Sequence, residues 1–266
     1  MPKFGMPTLI ETTSLDDCAA LCRTLGLNFI ELNMNLPQYQ PNTIDIAQFQ
    51  RIAKENGIFY TIHLDENLNP CDFNPYVADA YLRTVRDTIA LAKQLNIHLL
   101  NMHLSRGVYF TLPERKVYLF SEYRAQYLQN IAVFRDACEQ AIGNADIKIS
   151  IENCSGYRDF QKEALSLLLD SPVFSLTLDI GHSHGSGSDD QAFILTHKDR
   201  LHHMHIHDAL GKKDHLALGA GELDIPHYLT LAQECCDTVV LETKTVAGLC
   251  ESVTWLRAQF SDSTAR

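Results

Sequence analysis

Short apolar runs alternate along this chain with longer stretches whose apolar positions return every three or four residues. Residues 3–8 are the first such run. Ser14 then opens a helical pattern, with Asp16 and Asp17 in its first turn and Leu15, Ala19, Leu21 and Cys22 on its apolar face, that stops at Gly26. Residues 28–33 (NFIELN) predict a strand, 45–56 a helix ended by Gly57, and 59–63 (FYTIH) a strand again. Residues 74–95 carry Val77, Tyr81, Val85, Ile89 and Ala92 at helical spacing, and 98–103 (HLLNMH) follow as the fourth strand. The later couplets are helix 113–142 with strand 147–152, helix 160–169 with strand 173–179, and helix 191–197 with strand 202–207. Helix 225–235, strand 238–242 and a last helix over 245–260 complete the chain.

Eight strands alternating with eight helices in 266 residues predict a single α/β domain, a parallel (β/α)8 TIM barrel over residues 1–260, with 261–266 as a flexible tail. An open parallel sheet usually has fewer strands and gathers its ligand loops at one switch point. In a barrel the chemistry sits at the carboxyl ends of the strands. The residue that ends each strand is therefore the one to inspect.

Composition narrows the function classes. A hydrophobic content of 45% is ordinary for a chain that buries a sizeable core. No apolar run approaches the roughly 18 residues of a membrane span, and the N-terminus has neither a basic nor an apolar leader region, so a cytoplasmic protein is expected. Of the eight cysteines, Cys18 and Cys22 lie one helical turn apart and Cys235 and Cys236 are adjacent, which matches neither a disulfide framework nor a zinc ribbon; reduced thiols are expected. A net charge of −11 disfavours nucleic acid, whose phosphates are gripped by Lys and Arg, and leaves a small molecule as the expected partner.

The chemistry concentrates at the strand ends. Residues 201–222 (LHHMHIHDALGKKDHLALGAGE) put His203, His205 and His207 on one face of a strand and Met204 and Ile206 on the other. Imidazoles followed by Asp208, Asp214 and His215 suggest a metal, although hydrogen-bonded core histidines give the same pattern. The other strands decide between these readings. They end at Glu31, His63, His103, Glu152, Asp179 with His182 just beyond, and Glu242. Gathering so many ionisable groups at one mouth without a cation is costly.

These residues fall in motifs that resemble a known family. The histidines of strands three and four, the Glu152-Asn153 pair, LDIGH (178–182), HIHD (205–208), DHLALGAG (214–221) and LET (241–243) together resemble the xylose-isomerase-like barrel superfamily, which includes sugar isomerases, ketose 3-epimerases and apurinic/apyrimidinic endonucleases. The resemblance implies one divalent ion, manganese or zinc with cobalt as a further choice, held by Glu152, Asp179, His205 and Glu242; three carboxylates and an imidazole suit such ions. It implies that Glu152 and Glu242 also serve as base and acid on the two faces of an enediolate, with His182 polarising the substrate oxygen.

In the endonuclease branch further metals are bound, and His63, His103, His182 and His215 match that pattern. The aspartate expected there falls on Lys213, with Asp214 one residue away. His63, His103 and His215 are thus candidates for a second metal or for substrate. His207, Lys212, Arg106 and Arg158 are candidates for substrate contact, the arginines lying just past strand ends where they could hold a phosphate or carboxylate. The arginine of the epimerases' strand-seven loop has no match, Gly211 standing near its place.

Two readings follow. The first is a metal-dependent isomerase or epimerase of a sugar or sugar phosphate, expected to be a homo-oligomer. The second is an endonuclease or another hydrolase or lyase on the same barrel. Asp65 and Glu66 stand where phosphate contacts to DNA would need positive charge, which favours the sugar. Tyr118, Tyr123 and Tyr127 read as packing or interface residues, and 185–187 as a flexible loop.

Overall fold

In the computed structural model, which describes residues 1–263, all eight predicted barrel strands form. The chain runs β1 (Lys3–Pro7), α1 (Leu15–Thr24), β2 (Phe29–Asn33), α2 (Ile46–Asn56), β3 (Phe59–His63), α3 (Pro75–Leu95) and β4 (Leu99–His103). A hairpin of β5 (Tyr109–Thr111) and β6 (Lys116–Tyr118) precedes α4 (Leu119–Glu122), α5 (Arg124–Ile142), β7 (Lys148–Glu152), α6 (Asp159–Leu169) and β8 (Phe174–Asp179). There follow α7 (Ile180–Gly185), α8 (Asp189–Thr196), β9 (Leu201–Ile206), a hairpin of β10 (Asp208–Leu210) and β11 (Lys213–Leu216), then α9 (Ile225–Cys235), β12 (Thr238–Leu241) and α10 (Val246–Ser263). The barrel closes in the order β1, β2, β3, β4, β7, β8, β9, β12 and back to β1, every pair parallel.

The pleat explains how one sequence supplies both a core and a site. Ile30 and Leu32, Ile62, Leu100 and Met102, Ile149 and Ile151, Leu176 and Leu178, Met204 and Ile206, and Val239 and Leu241 are all buried in the hydrophobic core. Most alternate positions, Glu31, Thr61, Asn101, Ser150, Thr177 and His203 among them, are polar and equally buried and fill the barrel with hydrogen bonds. The helices begin where the sequence signals them: Ser14 accepts from the Asp17 N–H, Asp45 from Gln48, and Asn74 from Tyr76 ahead of Pro75.

Three expectations are corrected. The helix expected over 113–142 starts only at Leu119. Residues 109–118 instead pair as a hairpin closed by the Leu112 N–H on the Arg115 carbonyl, at 2.8 Å, and by the Tyr109 and Tyr118 rings, 5.3 Å apart. Pro113 sits in the connecting turn, and β-branched and aromatic residues flank it. The loop expected after strand seven is partly ordered as the β10–β11 hairpin. The last helix runs to Ser263 instead of ending at 260, and residues 264–266 of the expected tail lie outside the described ones. All eight cysteines are free thiols, and no helix among the described residues is long and apolar enough to cross a membrane.

Candidate active site

Register assembles the site. His103 pairs with Glu152, Asp179 with His205, and Val240 with His205, so the ends of β4, β7, β8, β9 and β12 come level at one mouth. A register shift between β8 and β9, after Leu176, is what sets Asp179 beside His205. One ligand atom each from Glu152, Asp179, His205 and Glu242 falls within 4.8 Å of the others, and all four residues are buried. His205 Nδ1 is the hub, 3.1 Å from Glu242 Oε2, 3.5 Å from Glu152 Oε2 and 3.9 Å from Asp179 Oδ2.

Glu152 Oε1, Glu242 Oε2 and His205 Nδ1 are buried without an aligned hydrogen bond among the described residues. Buried polar atoms are rarely left so, and a cation among them satisfies all three at once. Three carboxylates and one imidazole suit a hard or borderline divalent ion. Without one, the imidazoles supply the balancing charge. Burial opposes ionisation of Glu152 and Glu242, but the charge on His205 outweighs it and holds both carboxyls well below the usual range. Burial is overcome in the same way at His205, where Glu152, Glu31 and Glu242 hold the imidazole well above its ordinary value.

The flanking histidines converge on the same carboxylates. His63 and His103 each place Nε2 3.3 Å from Glu152, on Oε2 and Oε1 respectively. The His63 Nδ1–H donates to the Leu64 carbonyl at 2.8 Å, which turns Nε2 inward. His182 Nδ1 lies 3.4 Å from Glu152 Oε1 and 3.6 Å from Asp179 Oδ2. Burial would lower both imidazoles, but Glu152 at His63, and Asp179 with Glu152 at His182, raise them to about 9 and about 10. His215 Nε2 reaches within 3.7 Å of Glu242. His215 adopts φ 54°, a left-handed conformation rare outside glycine, and its ring stacks on His207 at 4.3 Å.

His207, expected to meet a substrate, is occupied instead. It is fully buried, its Nε2 sits 3.1 Å from both Asp179 oxygens, and its Nδ1 accepts from the His215 N–H at 2.7 Å, so its ring orients Asp179. Asp208 beside it accepts four backbone N–H groups, from Ala209, Gly219, Gly221 and Leu223, and so ties the hairpin to the loop that follows. The expected substrate cations lie outside the ligand cluster. Lys212 is exposed at the hairpin tip and Arg106 is exposed above Tyr109. Arg158 stacks 3.9 Å over the Tyr118 ring and donates to its hydroxyl at 2.7 Å.

The structure gives roles to residues that pattern reading assigned none. Asn101 donates to Glu152 Oε2 and lies 2.7 Å from Thr177, holding the carboxylate from below. Asn153 bridges β7 to β8, accepting from the Asp179 N–H and donating to its carbonyl. Lys244 donates to Glu242 Oε1 at 2.8 Å. Glu31 and His203 lie beneath His205. The polar positions inside otherwise apolar strands were the available signal. Their partners were not legible.

A closed parallel barrel carrying an acid–imidazole cluster at the carboxyl ends of its strands defines the class as a TIM barrel with a candidate metal centre. More narrowly, the chain belongs to the xylose isomerase-like TIM barrel family, whose model matches residues 19–259. An uncharacterized protein of Methanocaldococcus jannaschii, MJ1188, is 24% identical over 240 residues, covering 86% of this chain and 83% of that protein. Among solved structures, a D-tagatose 3-epimerase-like protein superposes with TM-score 0.79 at 21% identity over 99% of this chain and 100% of its own. The IolI protein, solved with a bound zinc atom, superposes with TM-score 0.74 at 14% identity over 98% of this chain and 97% of its own.

Proposed function

We propose that this protein is a metal-dependent isomerase or epimerase that moves the proton on the carbon beside the carbonyl of a ketose, free or phosphorylated. The observation that carries the reading is the convergence of three unsatisfied buried atoms, on Glu152, Glu242 and His205, at one barrel mouth. The likeness to a D-tagatose 3-epimerase-like protein supports the substrate class, and the zinc of the IolI protein supports the metal. Glu152, Asp179, His205 and Glu242 would hold manganese, zinc or cobalt, and such an ion supplies Lewis-acid stabilisation of the enediolate.

The residues divide the remaining work. Glu152 and Glu242 approach the centre from strands on opposite sides of β8 and β9, so one can take the proton from one face of the planar enediolate and the other return it to the opposite face. Asn101, His63 and His103 hold Glu152, and Lys244 holds Glu242, so each carboxylate is aimed before substrate arrives. His182 is partly exposed at the mouth and can donate to the substrate oxygen. His63, His103 and His215 line the same opening.

The test is solvent deuterium uptake into a panel of ketoses and ketose phosphates with manganese, cobalt or zinc added, beside cleavage of an abasic-site duplex. Exchange is expected in at least one sugar, and none in that sugar with Glu152→Gln or Glu242→Gln. Efficient nicking of the duplex without exchange in any sugar would overturn the reading. The acidic Asp65, held by Gln40 at 2.9 Å in the loop after β3, argues against a DNA surface there.

A further inference from the structure

The hairpin of β5 and β6 leaves the barrel as a two-stranded sheet with three residues in each strand and, among the described residues, no third strand beside it. Hairpins of that size are marginal in water unless another surface covers them. One face is covered. Tyr109 and Tyr118 face each other across the strands, Lys116 lies 4.5 Å over the Tyr109 ring, and Arg158 stacks on Tyr118. The pleat turns Val108, Phe110 and Val117 to the opposite face, where Val108 and Phe110 are each 57% exposed, and Leu112 continues the row toward the turn. An apolar strand with a free edge invites another chain to cover it.

A hole lies beside this knob. The loop ahead of α3, the first turns of α3 and the start of α5 enclose a groove of about 620 Å3, lined by Phe73, Leu82, Tyr123 and Val133 together with Asp72 and Asp79. Tyr123 is 60% and Val133 58% exposed. Phe73 packs edge-on against Tyr123, at 5.9 Å, and against Phe120 just after β6, at 5.2 Å, so the root of the hairpin and the wall of the groove are one packed unit. The charges match as well. Among the described residues Arg115, at the hairpin turn, meets no carboxylate and Asp79 meets no cation, while Asp72 accepts only from the Asn69 side chain and the Asn74 N–H. A two-fold axis sets one patch against its own copy, so a patch holding both a projection and a groove for it satisfies both at once. We propose that two copies of this chain associate about such an axis, the apolar face of each β5–β6 hairpin entering the other copy's groove between α3 and α5, with Arg115 meeting Asp79. The local pairing is needed because each copy carries a net charge of −11 and the two repel at long range. This contact holds whatever the site catalyses.

The test is sedimentation velocity of the full chain across a dilution series, beside Phe110→Asp on the knob and Val133→Asp in the groove. Both positions are more than half exposed in a single copy, so neither change opens a core. Wild type is expected to be a dimer, and each variant to raise the dimer dissociation constant at least about 30-fold, as when an interface anchor is lost. Asp79→Arg lowers the net negative charge yet should weaken the dimer, and adding Arg115→Asp should restore it. Hydrogen exchange at residues 108–112 should slow as protein concentration rises. Circular dichroism identifies a variant that fails to fold, and the other variants then carry the comparison. A wild type that is monomeric at every dilution overturns the proposal, as does a dimer that the folded variants leave intact. Exchange at 108–112 that slows with added ketose and not with concentration also overturns it, since the hairpin would then be a lid over the mouth.

Discussion

The glycine of the LDIGH motif offers the sharpest structural test. Gly181 lies in α7 without a positive φ, so backbone freedom does not explain it. Proximity does: a Cβ added there would lie 2.0 Å from Cε1 and 2.6 Å from Nδ1 of His207. That ring cannot retreat. Its Nε2 is engaged with both Asp179 oxygens at 3.1 Å, its Nδ1 accepts the His215 N–H, and its face is covered by the His215 ring at 4.3 Å. Overpacking of this kind costs about 1–3 kcal/mol. Breaking the hydrogen bond to a charged Asp179 adds about 1.5–3 kcal/mol, whereas alanine's better helix propensity offsets only about 1 kcal/mol. Gly181→Ala should therefore destabilise by about 1.5–5 kcal/mol, on the terms just given. It should also weaken metal binding about 10–100-fold, because Asp179 loses the donor that orients it. Gly185→Ala is the control, since it sits in the same short helix with nothing within 4 Å of an added Cβ. Urea unfolding and chelator competition on both variants give the numbers. Equal stability and equal affinity in the two would refute the contact between Gly181 and His207 as the reason for the glycine.

Other consequences are checked more briefly. Glu152→Gln and Glu242→Gln should each lower turnover beyond the roughly 10²–10⁴-fold attributed to general acid–base groups, since a ligand charge is lost as well, while sugar binding measured by calorimetry survives. His63 and His182 are raised to about 9 and about 10 in the metal-free protein against about 6.5 for an unfolded chain. Their contribution to stability is thus complete below about pH 6.5 and is lost as pH climbs through 9 and 10. Urea unfolding of chelator-treated protein should show stability declining over that window, and a rise with pH there would contradict the assignment. Metal binding should release protons, because His205 must give one up to become a ligand; calorimetry in two buffers of different ionisation heat measures the number, expected to be at least about one. Burial raises the thiols of Cys22 to about 12 and of Cys18 and Cys154 to about 11. A disulfide reagent near pH 8 should therefore label the fully buried Cys18 and Cys22 only after unfolding.

The sequence by itself determined the strands and the candidate ligands. A period of two marks a strand and a period near 3.6 marks a helix whatever the rest of the chain does, so all eight barrel strands could be read locally. Their number and alternation imply the barrel, and the barrel implies that strand ends such as Glu152, Asp179, His205 and Glu242 share one mouth. Where local pattern was ambiguous it misled, as at 109–118, where β-branched and aromatic residues around Pro113 turn back on one another instead of continuing a helix. Partnership was beyond the sequence altogether. Glu31 meets His203 across 172 residues, Asn101 meets Glu152 across 51, and His207 turns to Asp179 across 28. Hydrogen bonds are short and directional, so they depend on the stagger of neighbouring strands and on a register shift between β8 and β9 that no periodicity encodes. Which histidines face the ligand cluster, and which orient the residues that do, was decided only when the barrel closed.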